Sequence, residues 1–378
     1  VNDFLRERYR SPMLVVVASV SLILFFLSAM TAQFIGGARV FQAVTGYPYE
    51  VGLILFGVTV VIYTAVGGFR AVVVTDALQG VVMLLASVVI LVAVVSAGGG
   101  MEQCIQTLKG IDPGLISPSG PGDSIPAPML FSFWILVGLG ILGLPQTTQR
   151  CFGYRDSRSM HDAMIVGTLI IGFLLLFMHL AGVLGRAVMP GLTSGDLIIP
   201  SLILELLPPI WAGVFVAGPL AAIMSTVDTM LLLVSASIIK DLYIRYRLKN
   251  DDSRISAARI SRMSFGCTLI VGILVFLASF DPPDLLVWIN LFAFGGLEAV
   301  FLWPIVLGLY WRKANATGAL CSMLFGVGSF MLFSLGGIPL GGVHAIVPTC
   351  AVSLLAFCVG NRWGRPVPED VTRIFWED

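Results

Sequence analysis

Apolar residues in this chain fall into long runs separated by short polar connections. Ten runs are long enough, or nearly so, to cross a bilayer as a helix, which takes about 20 apolar residues. They lie at 13–34, 49–66, 71–95, 128–144, 163–183, 210–239, 263–280, 285–310, 317–335 and 345–359. Gly67-Gly68, Gly98-Gly99-Gly100, Pro282-Pro283 and Gly336-Gly337 mark ends. In lipid a helix satisfies its own backbone polar groups, so each run predicts a helix. The expectation is an all-α integral membrane protein with about ten transmembrane helices. Residues 1–10 form a lead-in, 1–378 a single transmembrane domain, and 364–378 a short tail.

Composition agrees. The chain is 57% hydrophobic and 12% charged, where soluble domains carry about 25% charged residues. Basic and acidic residues balance at 22 each, so net charge gives no sign of nucleic acid or an acidic partner. Their distribution is more telling. With connections numbered alternately, one set holds 19 Lys and Arg, and the other only Arg39, Lys109 and Arg186. The positive-inside rule puts the first set, and both chain ends, in the cytoplasm. Connections 98–127 and 189–209 then face outside, and the apolar run 197–207 predicts a short interfacial helix. The chain starts at Val1 with no signal-peptide pattern, so an N-terminal part is expected to be missing. The six cysteines lack metal-ligand spacing and read as small apolar fillers. HExxH, GxxxxGK[ST] and GxSxG are absent, and the three histidines are scattered. An enzyme is not expected.

Residues 218–243 read GPLAAIMSTVDTMLLLVSASIIKDLY. Ala222, Ser225, Thr226 and Thr229 recur at i, i+3, i+4 and i+7, which puts them on one helical face. Two readings stay open. The face is a close-packing seam with hydroxyls bonded back along the helix, or it offers the hard oxygen ligands a small cation prefers. Asp228 lies to the side of it. Asp76 and Gln79 open the third span, and Asp76 reads equally well as an interfacial residue near a helix start. The fourth span is broken by Gly138, Gly140, Gly143 and Pro145, the interruption at which transporters expose backbone groups to a substrate or ion. The eighth span carries Asn290 and Glu298, and a glutamate this deep needs a partner or a wet cavity. Ser28, Gln33, Trp134, Gly140, Asn290 and Glu298 are the candidates for solute contact.

The segment 46–71 ends YTAVGGFRA and is followed by TDALQ at 75–79. Together they resemble one signature of the sodium:solute symporter family. Residues 218–243, with AAIMST and a terminal DLY, resemble its second. IDPGLISP, LPQTTQRC, MHLAGVLGRAVMP, LFAFGGLEAVFLWP and VGNRWG extend the similarity along essentially the whole chain, toward the pantothenate-importing branch. The resemblance implies a LeuT-like fold, a five-plus-five inverted repeat with flanking helices. Thirteen spans are usual, and the first three would precede Val1. It implies sodium-coupled import of pantothenate or a similar small organic anion across the inner membrane, with a monocarboxylate or proline as rival solutes. Partners are then sodium, the solute and the lipid bilayer, with no nucleic acid and no cofactor beyond the coupling ion. It further implies that Ala222 (through its carbonyl), Ser225 and Thr226 bind sodium together with a helix upstream of Val1. Asp76 and Thr229 would lie along the ion pathway. Gly140 stands where sugar-transporting relatives carry a gating tyrosine, and Phe292 where they carry a sugar-binding polar residue. Both imply that a sugar is not the solute.

Overall fold

Ser11 opens the first long helix by accepting a hydrogen bond from the Leu14 amide, with Pro12 at the first helical position. The helix closes at Gly46, whose left-handed backbone (φ 70°) suits a residue without Cβ. The computed structural model containing it describes residues 1–151, 153–192, 194–247, 256–282 and 286–376. Residues 248–255 of the connection after the run at 210–239, Pro283 and the first residue of the run expected at 285–310 lie outside the described residues.

The described chain is helical throughout its membrane-length segments. A short α1 (Asn2–Tyr9) precedes α2 (Pro12–Thr45). The spans α3 (Tyr49–Phe69) and α4 (Ala71–Ala97) follow. No loop separates this pair: one residue, Gly68 at φ 63° and ψ −172°, breaks the helical path. Then come α5 (Met101–Ile111), α6 (Ala127–Gly143), α7 (Pro145–Cys151) and α8 (Ser157–Val188). The expected interfacial helix is α9 (Ile198–Leu206). After it, α10 (Pro209–Phe215) leads into α11 (Ala217–Ala236). The last helices are α12 (Ala257–Ala278), α13 (Val287–Tyr310), α14 (Ala316–Leu335), α15 (Ile346–Trp363) and α16 (Glu369–Trp376).

Nine helices among the described residues are long and apolar enough to cross a membrane, against ten apolar runs in the sequence. The difference is α6. Its axis passes through a π-helical turn at Trp134–Leu139 and stops where Leu144 goes extended before Pro145, because the residue before a proline is pushed out of the α region. A second departure lies at the end of α11. The helix does not stop near residue 239 but continues as a π-helix, Ser237–Arg247, so Lys240 and Asp241 sit on helix rather than in a connection.

Two hydrophobic cores organise the bundle. The larger joins α2, α3, α11, α12, α13, α14 and α15 around Phe25, Phe34, Phe56, Val227, Phe301 and Phe330. The smaller joins α4, α5, α8 and α9 around Ile90, Val94, Cys104, Leu184 and Leu202. Cys104 is thus a buried filler, although it lies between two apolar runs. At one end of the bundle α1 ties three helices together. The Asn2 amide donates to Ser19, Ser237 and Asp241 at 3.0, 3.1 and 2.7 Å. Arg8, 1% exposed, donates to the carbonyls of Gly308 (2.7 Å) and Trp311 (3.1 Å), capping α13, and lies 4.7 Å from the Trp376 ring. Burial lowers the Arg8 proton affinity below its ordinary value, yet a guanidinium keeps its charge.

Candidate functional site

The cluster begins with a carbonyl. Ala222 O accepts from the Thr226 hydroxyl at 2.9 Å and from the Ser225 hydroxyl at 3.1 Å. One turn on, the Thr229 hydroxyl donates to Ser225 O at 3.1 Å and lies 3.4 Å from Asp228 Oδ1. All four residues are on α11, at the helical spacing read from the sequence, and Ser225, Thr226 and Thr229 are half-buried. Because each hydroxyl proton is directed at a carbonyl, its lone pairs point away from that bond. The face therefore presents hydroxyl oxygens as acceptors, the polarity a cation requires.

Asp228 is fully buried and extends this polar patch toward α3. The Tyr63 hydroxyl donates to its Oδ2 at 2.9 Å and lies 3.4 Å from Met224 O. Asp76, half-buried on α4 just beyond the Gly68 break, acts electrostatically on both Asp228 and Tyr63. Hydroxyl face, Asp228, Tyr63 and Asp76 thus form one polar region across α3, α4 and α11. The Asp228–Tyr63 bond went unread in the sequence because its partners are 165 positions apart. A buried acid three residues after Ser225, with a tyrosine opening the YTAVGGFRA segment, was the available signal.

The solute candidates fall into two places, with two residues standing outside them. Gln33 on α2 and Asn290 on α13 meet, the Gln33 amide donating to Asn290 Oδ1 at 3.3 Å. Near Asn290 an open cleft of about 410 Å³ is lined by Met129, Trp288, Phe292, Phe333, Leu340 and His344. Phe292 also faces Phe25 and Phe330, with ring centroids at 5.9 and 5.5 Å. Gly140 and Glu298 make the second place: a Cβ on Gly140 would stand 2.8 Å from Glu298 Oε2. Ser28 is half-buried on α2. Trp134 is 79% exposed on the π-turn of α6. A separate cleft of about 580 Å³ opens beside the far end of α11 and is lined by Asn2, Asp3, Glu7, Ser237, Lys240 and Asp241, among others. No group of three or more His, Cys, Asp or Glu suited to a metal ion occurs among the described residues.

Known proteins resemble this chain at three levels. The profile of the sodium:solute symporter family matches residues 1–326. The sodium/pantothenate symporter of Escherichia coli is 51% identical over 98% of this chain and 76% of its own length. The sodium/pantothenate symporter of Haemophilus influenzae is 47% identical over 97% and 75%. An osmoregulated proline transporter of Bacillus subtilis is 28% identical over 94% and 72%. Among solved structures, a substrate-bound, outward-open Na+-coupled sialic acid symporter superposes with a TM-score of 0.79 at 18% identity. It covers 97% of this chain and 78% of its own. The fold is therefore the LeuT-like transporter fold.

Proposed function

The chain belongs to the sodium:solute symporter family, and from that premise we propose that it imports pantothenate coupled to sodium. One observation carries the choice of solute. Two relatives named as sodium/pantothenate symporters match nearly the whole chain at 51% and 47% identity, against 28% for a proline transporter.

Sodium is held by Ala222 through its carbonyl and by Ser225 and Thr226 through their hydroxyls. The convergence of both hydroxyls on one carbonyl supports this assignment. Asp76 and Thr229 line the ion pathway, a reading supported by the electrostatic reach of Asp76 to Asp228 beside Thr229. The Gln33–Asn290 pair and Phe292 border the solute route where the cleft meets α13. Sodium binding more tightly to one conformation than to the other shifts their populations, and the solute moves with that shift. No bond is made or broken, so the protein is a carrier and not an enzyme. The split of basic residues supports a multi-pass protein of the inner membrane with both described ends in the cytoplasm.

The test is uptake of labelled pantothenate by vesicles holding the full-length protein, with and without an inward sodium gradient. Uptake should require sodium and resist excess proline or monocarboxylate. Sodium-driven proline uptake that pantothenate does not inhibit would overturn the choice of solute.

A further inference from the structure

Glu298 lies mid-helix on α13 and is 1% exposed. The other described glutamates, Glu7, Glu50, Glu102, Glu205 and Glu369, are all exposed. Its Oε1 receives one weak contact, from the Cys350 thiol at 3.8 Å. Its Oε2 has no hydrogen-bond partner.

Among the described residues, the helices packed around Glu298 bring no counter-charge to it. The helices packed on α13 are α1, α2, α6, α14 and α15. Residues 12–38 of α2, all of α6 and all of α14 contain no Asp, Glu, Lys, Arg or His. On α15 the only such residue is Arg362, in the last turn. On α1, Arg8 is committed to the carbonyls at the end of α13, and Asp3, Arg6 and Glu7 pair among themselves or with Lys240. His344, ahead of α15, receives the Ile346 amide on its ring nitrogen and gives its own amide to Ser132. The Tyr9 hydroxyl on α1 is committed to Pro304 O at 2.7 Å, Tyr310 is exposed at the end of α13, and the thiols are Cys350 beside the carboxyl, Cys321 on α14 and Cys358 on α15.

The space is equally restrictive. Oε2 is aimed at Gly140, close enough that a Cβ there would stand 2.8 Å away. Oε2 is itself buried, so no water-sized space adjoins it. A carboxylate so placed, with one weak thiol donor and no cation, would be strongly unfavourable in this medium. Among the described residues nothing balances that charge, and a bound proton removes it.

We propose that Glu298 is a proton-binding site whose occupancy is tied to the seating of the broken helix α6 against α13. While Gly140 covers Oε2, the carboxyl is neutral. When α6 moves off, water reaches the carboxyl and takes the proton, which returns before α6 reseats. The site stands without the transport reading; its link to turnover rests on that reading.

Two measurements on the full-length protein test this separately. Infrared spectroscopy with isotope-labelled glutamate, at neutral pH and without sodium or solute, should show a protonated-carboxyl band that Glu298→Gln removes. Cys350→Ala should shift the frequency of that band, which keeps the test decisive if Glu298→Gln does not accumulate. Sodium-driven uptake by the parent should fall at alkaline pH by about tenfold per pH unit, the slope of one proton, and Glu298→Gln should flatten that limb. A labelled protein with no such band, or one whose band ignores both substitutions, overturns the site. A band that behaves as stated beside an uptake profile that Glu298→Gln leaves unchanged overturns the link to turnover. Absence of any pantothenate uptake bears on the solute reading and leaves the infrared result standing.

Discussion

Removing one hydroxyl from the α11 face separates the two roles that its spacing allows. Consider Thr226→Val, which keeps the side-chain shape and deletes one oxygen. In the structure that oxygen spends its proton on Ala222 O at 2.9 Å, and the same carbonyl takes the Ser225 hydroxyl at 3.1 Å. A hydroxyl bonded only to a carbonyl of its own helix contributes little to folding, so the stability change should stay within about 0.5 kcal/mol. As an ion ligand the same oxygen is one of a small set in a half-buried place. Its loss should then weaken sodium binding by about 1–3 kcal/mol, a loss of affinity of about 5-fold to 150-fold. Ser225→Ala should behave alike, the double variant should lose more than either, and pantothenate affinity should fall with sodium affinity because linkage is reciprocal. The assay is a sodium titration of labelled-pantothenate binding by purified full-length protein, with thermal unfolding measured on the same samples. Parent-like sodium affinity in both single variants would reduce this face to a packing seam.

Three further outcomes follow from other contacts. Tyr63→Phe removes the 2.9 Å donor to the buried Asp228 and should cost about 1–3 kcal/mol, read as a melting temperature lowered by several degrees; an unchanged melting temperature would show that the bond is dispensable. Arg8→Lys cannot reproduce the fork onto Gly308 and Trp311 or the stacking on Trp376; limited proteolysis should then release α16 sooner than in the parent, and an unchanged rate would reject the clamp. Burial holds the His344 imidazole below its ordinary value of 6.5, so its contribution to stability is present above that value and lost as pH falls through the lowered one. Melting curves on the acid side should show this loss, and His344→Gln should lessen it.

Much of the fold was legible, for reasons visible in single elements. The apolar runs fix the long helices because lipid permits little else, and the Gly138–Pro145 punctuation foretold the interruption of α6. The extension of α11 to Arg247 was not legible. Its last stretch, SIIKDLYIRYR, turns polar as a cytoplasmic connection would, while the backbone continues in π-helical form. Nor was the role of Arg8, which in sequence is one more basic residue near a membrane edge but in the fold is buried against α13. The α11 face was legible as a spacing, since i, i+3, i+4 and i+7 depend only on the helix. Its meaning was not, because the spacing alone fits a packing seam and an ion site equally well. Pairings such as Gln33 with Asn290, 257 positions apart, require the assembled bundle.

The cap that Arg8 places on α13 also sets an order of events during synthesis. Its acceptors Gly308 and Trp311 lie 300 and 303 positions later in the chain. At about 5–20 residues per second, ribosomal elongation delivers them roughly 15–60 s after Arg8 has emerged. Throughout that interval the guanidinium has no α13 to close upon and must stay in contact with water or lipid headgroups. The α1 segment therefore docks late, after at least seven membrane-length helices have been made. A chain arrested before Gly308 would present an open, basic rim, a mark by which quality-control proteases could tell an unfinished bundle from a finished one.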